Sequence, residues 1–364
     1  EVLDTAGNRV DNEDAGVDPA DPTRMTVTVR SLPDGIYTVS WRTLSTVDGH
    51  VTAGAFPFAV GEVDEAALAA AQSGTTVTVS PVESLARWLT YAGILTLVGG
   101  SMFILLVWHP AIRRLQPDPT PEPNWPRLAL VAILLLIVGT LLWVLAQAGQ
   151  VAGGAMAFPW DPAVFQVLFT TRFGALILAR LLLALLMVPL LLVSPTNTKR
   201  IVALVLGLLV LLTISLGSHA AAEADPLLPI LADWVHLAMA SFWVGGLVYF
   251  TAAILATRPE APLSRTQLAA GLIPRFSALA LVSVALLVLT GVYASLLQLT
   301  ALADLTTTAY GQTLLVKLVI FTPMLLLGAA NLLFTSPRMK KAAQNTGNPS
   351  LVSRFRRIVT SEAT

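Results

Sequence analysis

Two of the four histidines, His219 and His236, lie on either side of a short connection between two apolar stretches. Asp233, His236 and Met239 follow at three-residue steps, which places them on one face of a helix. Imidazole accepts both copper oxidation states, and thioether sulfur favours Cu(I). These four residues therefore predict a copper site. The alternative is that the histidines cap helices or act as polar anchors at a membrane interface.

A second pair of metal-binding side chains belongs to the turn Asp48-Gly49-His50. A carboxylate beside a neutral imidazole suits Cu(II) or Zn(II), which accept nitrogen and oxygen ligands. Two ligands do not complete a site. The alternative is a solvated turn, since Asp and Gly are common in turns.

Three polar residues fall inside apolar stretches: Arg180, Lys317 and Asn331. A charge within a membrane span usually faces the bundle interior or a wet cavity. These residues predict an intramembrane polar pathway or an anion contact. The alternatives are a structural pair or side chains that snorkel to the interface.

Membrane-spanning helices must position these residues. Charged residues make up only 12% of the chain and hydrophobic residues 55%, whereas soluble proteins carry about a quarter charged residues. A helix crosses a bilayer with about 20 apolar residues. Seven stretches fit: 85–108, 127–148, 170–193, 200–217, 229–256, 276–297 and 312–334. The fold class is therefore mainly α, a polytopic membrane helical bundle.

The loops predict an orientation. Fourteen of the 22 Lys and Arg residues lie in alternate loops and the C-terminal segment, whereas loops 149–169, 218–228 and 298–311 hold none. Basic loops face the cytoplasm. We therefore expect the residues before the first span, and the loops without Lys or Arg, to be extracytoplasmic.

Residues 1–62 predict β structure, because apolar residues alternate with polar ones around Met25–Val29, Tyr37–Trp41 and Phe56–Val60. Residues 63–84 predict a linker, 85–335 the membrane bundle, and 336–364 a basic cytoplasmic tail. The front end is acidic: residues 1–84 carry a net charge of −9 and the remainder +9.

Several classes of function are excluded or disfavoured. The chain contains no cysteine, which rules out disulfides, iron–sulfur clusters and thiolate metal sites. No P-loop motif is present, and the basic residues orient helices rather than form a nucleic-acid surface. We expect no enzyme activity.

Residues 219–247 resemble the copper resistance D (CopD) membrane proteins, and so do Thr171-Arg172-Phe173-Gly174 and Thr290-Gly291-Val292-Tyr293. Residues 37–58, including the Asp48-Gly49-His50 turn, resemble the C-terminal half of the copper resistance C (CopC) β-sandwich. The chain thus resembles a CopC–CopD fusion, with a partial sandwich before the bundle. Typical members have eight spans, so we expect upstream strands and an eighth span to lie outside this chain.

The resemblance implies a copper-binding protein of the bacterial cytoplasmic (inner) membrane, with its N-terminal domain outside. It implies that Asp48 and His50 hold Cu(II), together with an N-terminal histidine that this chain lacks. We expect the protein to capture copper ions outside the membrane and move them into the cytoplasm. Its expected partners are the copper ion, the lipid bilayer, and a periplasmic copper chaperone or a larger membrane complex; no nucleic acid is expected.

Two other functions remain open at this stage. Two histidines from neighbouring helices can ligate haem, so the chain is alternatively a haem-binding membrane redox protein. It is otherwise an accessory subunit that delivers copper to a larger membrane complex.

Overall fold

A computed structural model describes residues 1–44, 51–61, 63, 80–115, 125–152, 154–192, 196–257 and 263–330. Its strands are β1 (Val2–Leu3), β2 (Gly16–Asp18), β3 (Asp21–Thr26), β4 (Gly35–Leu44) and β5 (Val51–Val60). They form a three-stranded antiparallel sheet in the order β1-β4-β5 and a two-stranded ribbon, β2-β3. This is the small β domain predicted for the front end.

The β4–β5 hairpin is the best-formed part of the β domain. Tyr37 pairs with Phe58 in register, and their rings stack at 5.7 Å between centroids. Gly54 opposes Trp41, and a Cβ at Gly54 would lie 2.7 Å from the indole ring. A larger residue at Gly54 would therefore displace the tryptophan.

The strand predicted around Met25–Val29 is only partly correct. Strand β3 ends at Thr26, and Met25 and Val29 are 49% and 40% exposed. Met25 pairs only with Val17 of the β2–β3 ribbon. Alternation in this segment does not produce a buried face, because within the described residues no second layer covers the ribbon.

The α-helices are α1 (Pro81–Phe103), α2 (His109–Leu115), α3 (Trp125–Ala152), α4 (Pro162–Thr170), α5 (Arg172–Leu192), α6 (Asn197–Ser215), α7 (Leu227–Ala256), α8 (Arg265–Gln298), α9 (Asp304–Thr307) and α10 (Ala309–Ala330). A π-helical turn, Ile104–Trp108, joins α1 to α2, and a 3₁₀ turn, His219–Ala222, follows α6.

Six helical segments in the described part of the chain are long and apolar enough to cross a membrane: Pro81–Leu115, Trp125–Ala152, Arg172–Leu191, Asn197–Ser215, Leu227–Ala256 and Arg265–Gln298. They correspond to the first six predicted spans. The seventh predicted span, 312–334, is helical as α10 through Ala330 but is not among these six. Helices α1, α3, α7 and α8 extend beyond the predicted ends, whereas α5 lies within them, because apolarity alone does not mark a helix cap.

The first predicted span begins earlier than expected, at Pro81, where the Ser80 side chain accepts a hydrogen bond from the Glu83 amide. Most of the predicted linker, 63–84, lies outside the described residues. The β domain reaches the bundle through Arg42, whose Nη1 donates to the Val151 carbonyl near the end of α3 at 3.4 Å. We call this end of the bundle the β-domain end, and the opposite end the basic end.

Helices α1 and α7 cross at two pairs of glycines, Gly99-Gly100 and Gly245-Gly246. A Cβ at Gly99 would lie 1.8 Å from the Ser241 carbonyl oxygen, and one at Gly245 would lie 2.1 Å from that of Leu95. Both obstacles are backbone atoms, so neither position accepts a side chain without moving a helix. At the basic end, aromatic rings of Phe103, Trp125 and Phe276 fill the core.

Candidate functional site

Helix α7 carries three of the predicted ligands, and Asp233, His236 and Met239 are all half-buried. Met239 packs against the apolar cluster that includes Leu97 and Val210. Its side chain therefore contributes to helix packing, as a methionine in an apolar span usually does.

The imidazole of His236 is oriented by helix α8. Its Nδ1 lies 2.8 Å from the Thr290 hydroxyl, and that hydroxyl donates to the Leu286 carbonyl at 2.7 Å. A hydroxyl has only one hydrogen to donate, so Thr290 must accept from Nδ1. We assign the proton to Nδ1 on this basis, and the Leu287 backbone also forms a hydrogen bond with the ring. In this tautomer Nε2 carries the lone pair that a metal ion would use.

Charged side chains flank this imidazole on two sides. The carboxylate of Asp233 and the ammonium of Lys317 both act on it electrostatically. Lys317 and Phe321 lie one turn apart on α10, and Phe321 packs edge-on against Trp243 of α7 at 5.4 Å. We call Asp233, His236, Thr290 and Lys317 the imidazole cluster; it joins α7, α8 and α10.

His219 begins the 3₁₀ turn between α6 and α7, and it is exposed. Among the described residues, no three His, Asp or Glu side chains lie close enough together to hold a metal ion. The helix spacing thus brings Asp233 and His236 together but does not assemble a complete ligand set. Asp48, His50 and Asn331 lie outside the described residues.

Arg180 lies in a different part of the bundle from the imidazole cluster and is 2% exposed. Its Nε donates to the Thr213 hydroxyl at 3.1 Å and its Nη2 to the Thr213 carbonyl at 3.4 Å. The guanidinium also lies 5.5 Å from the centre of the Trp143 ring. The Arg87 guanidinium lies over the same ring, 4.9 Å from its centre.

Arg87 forms an ion pair with Glu83, one turn earlier on α1. The other Glu83 oxygen accepts a hydrogen bond from Gln150 Nε2 at 2.7 Å. We call Glu83, Arg87, Trp143, Arg180 and Thr213 the cationic cluster, since two guanidinium groups accompany a single carboxylate. It joins α1, α3, α5 and α6 towards the β-domain end.

Lys317 and Arg180, which the sequence grouped in one polar pathway, belong to two different clusters. Tyr91 on α1 interacts electrostatically with both clusters. It is affected by Asp233 of the imidazole cluster and by Arg180 and Arg87 of the cationic cluster. Tyr91 is therefore the described residue that links the two clusters.

His109 lies at the basic end. Its Nε2 accepts a hydrogen bond from the guanidinium of Arg200. An imidazole that receives a hydrogen bond at Nε2 does not offer that lone pair to a metal ion. This environment matches an interfacial histidine better than an exit ligand.

Sequence reasoning missed Thr290 and Trp143 as functional positions. Thr290 was noted only as part of the Thr290-Gly291-Val292-Tyr293 segment, and Trp143 was read as apolar span. The predicted span ends did not align these two residues with the other site residues, but the observed helix ends do. Trp143, Arg180, His236, Thr290 and Lys317 each lie eight or nine residues from the β-domain end of their helix, about 12–13 Å at the rise of an α-helix.

Family models match three parts of the chain. The CopC domain matches residues 1–61, the N-terminal domain of copper resistance protein D-like proteins matches residues 78–227, and copper resistance protein D matches residues 270–364. The chain belongs to the CopC–CopD fusions. The imidazole cluster of this fusion takes Thr290 and Lys317 from the CopD match, while Arg180 and Trp143 lie in the preceding one.

One relative of the chain is the copper transport protein CutJ of Bacillus subtilis (strain 168). It is 28% identical over 353 residues, which cover 95% of this chain and 63% of the relative. The chain thus spans less than two thirds of the length of this relative. No solved structure matches the chain.

Proposed function

We propose that this CopC–CopD fusion captures copper outside the cytoplasmic membrane and moves it inward past the imidazole cluster. The observation that carries the proposal is the orientation of His236 by Thr290, in a chain of a copper resistance family. An imidazole whose Nδ1–H is held by a second group presents Nε2 as a fixed metal ligand.

The charges around His236 suit a cation that passes rather than stays. Asp233 attracts a positive ion, whereas Lys317 repels it. A site that binds too tightly would hold the ion, and opposed charges keep the affinity low. His219, exposed at the β-domain end, is proposed as the first membrane-domain ligand, with Met239 as a Cu(I) ligand if α7 turns during passage.

The orientation supports inward movement. The acidic β domain, with a net charge of −9 over residues 1–84, attracts cations on the outside, and the loops rich in Lys and Arg face the cytoplasm. Asp48 and His50 are proposed as the capture ligands for Cu(II). No enzyme reaction is part of this proposal, and reduction to Cu(I) is assigned to another protein.

The test is uptake of radioactive copper into proteoliposomes, comparing the unaltered protein with the double variant His219→Ala/His236→Ala. We expect at least about tenfold slower uptake, the usual scale for loss of a metal-site group. The matched control is His109→Ala, which removes a histidine at the basic end and should leave uptake close to normal. Equal uptake by the double variant and the unaltered protein would contradict the site.

The haem and accessory-subunit alternatives have their own tests. An absorption spectrum of the purified protein with a stoichiometric Soret band would favour haem. Co-purification of a stoichiometric partner in mild detergent, without copper uptake by the protein alone, would favour the accessory role.

A further inference from the structure

Arg180 carries a buried charge without a matching carboxylate. It is 2% exposed, and none of the ion pairs among the described residues involves it. Glu83, the carboxylate of the cationic cluster, is paired with Arg87. Asp233 acts on Tyr91 rather than on Arg180 itself. A charge buried in this way is strongly destabilising unless an opposite charge accompanies it.

Unused hydrogen-bond donors surround the same position. Within the described residues, Arg180 Nη1, Arg87 Nε and Trp143 Nε1 are buried and have no hydrogen-bond partner. The Thr140 hydroxyl, also without a partner, lies three residues before Trp143 and hence on the same side of α3. Buried donors of this kind are rare in proteins and call for a bound partner.

We propose that the cationic cluster binds a small inorganic anion, of the halide class, at the unpaired N–H groups of Arg180 and Trp143. Water would accept hydrogen bonds from these donors but would not neutralise the Arg180 charge, whereas a halide does both. A lipid phosphate does not fit, because Arg180 is too deeply buried to meet a headgroup. The Arg87 side chain is 42% exposed, so the anion has a route from the β-domain end. This inference does not depend on the copper function.

The test uses bromide as the probe, because bromide quenches tryptophan fluorescence by contact. Full-length protein in detergent is titrated with bromide against gluconate at constant ionic strength. We expect a saturable quenching component in addition to the linear quenching of exposed tryptophans. Trp143→Phe should lose the saturable component, and Arg180→Gln should lose it or weaken it at least tenfold. The matched control is Arg275→Gln, which removes an exposed arginine bound to the Leu106 carbonyl and should keep it.

Purely linear quenching in the unaltered protein would mean that water alone fills the cluster and would overturn the proposal. So would a saturable component that persists unchanged in Arg180→Gln. If Arg180→Gln does not fold, Arg180→Lys replaces it. Lysine keeps the charge but loses the fork geometry, so the halide concentration at half-saturation should rise. A second measurement, the unfolding temperature, should increase saturably with chloride in the unaltered protein and in Arg275→Gln, but not in Arg180→Gln.

Discussion

The cationic cluster and the imidazole cluster lie at the same depth in one bundle but differ in charge and access. The first has two guanidinium groups and one carboxylate around a tryptophan, and its Arg180 is buried. The second has a carboxylate, an imidazole and an ammonium, and its His236 is only half-buried. The charge of the first cluster repels a cation, whereas we propose that the second accepts copper. The polar groups of a membrane bundle should therefore be sorted by their charge before they are joined into one proposed transport pathway.

The change with the largest expected effect disrupts the crossing of helices α1 and α7. Gly245→Leu would drive a side chain into the α1 backbone, where a Cβ would lie 2.1 Å from the Leu95 carbonyl oxygen. Overpacking costs about 1–3 kcal/mol where neighbours can adjust, and more is expected against backbone. We expect loss of the monodisperse peak in size-exclusion chromatography. Gly328→Ala is the control, since a Cβ at Gly328 meets nothing within 4 Å.

A second change separates the clusters by function. His236→Ala removes the proposed copper ligand and should slow copper uptake by at least about tenfold, while saturable bromide quenching in the cationic cluster is retained. Arg180→Gln should do the reverse. If both variants lose both properties, the two clusters are not separable and the comparison fails.

A smaller effect is expected from the residue that orients the imidazole. Thr290→Val keeps the volume but removes the acceptor for His236 Nδ1–H, and copper affinity should fall about tenfold, the lower limit for loss of such a partner. The control is Thr322→Val on α10, whose hydroxyl donates only to the Leu318 carbonyl of its own helix. X-ray absorption spectra should show weaker imidazole scattering for Thr290→Val than for the control. Equal copper affinity in both variants would remove Thr290 from the site.

The smallest effect concerns the β domain. Asp11 is buried, and hydrogen bonds from Arg9 and from the Val2 amide hold the pKa of its carboxyl well below its usual range. The stabilisation is present above about pH 4, the ordinary carboxyl value, and is lost as the pH falls toward the depressed pKa. The protection factor of the Val2 amide in hydrogen exchange should therefore fall in acid. Asp11→Asn should show fast exchange already at pH 7, without changing the bromide response of the bundle.

The sequence was sufficient to predict the β domain and the first six spans, because period and hydropathy are local properties. The metal-ligand role of Asp233 and His236 stays a prediction. The sequence could not predict that Thr290 fixes the His236 tautomer, since 54 residues separate them and helix rotation decides the contact. The sequence likewise could not show that the guanidinium groups of Arg87 and Arg180 both lie over the Trp143 ring.

The central claim, that copper is held by His236 in the membrane domain, is tested most directly by the copper content of purified protein at equilibrium with excess copper ion. The measurement uses an Asp48→Ala/His50→Ala background, so that the proposed β-domain site does not contribute. We predict that this background retains one copper ion with imidazole scattering and that adding His236→Ala removes it. Retention of the same copper with the same scattering after His236→Ala would contradict the claim.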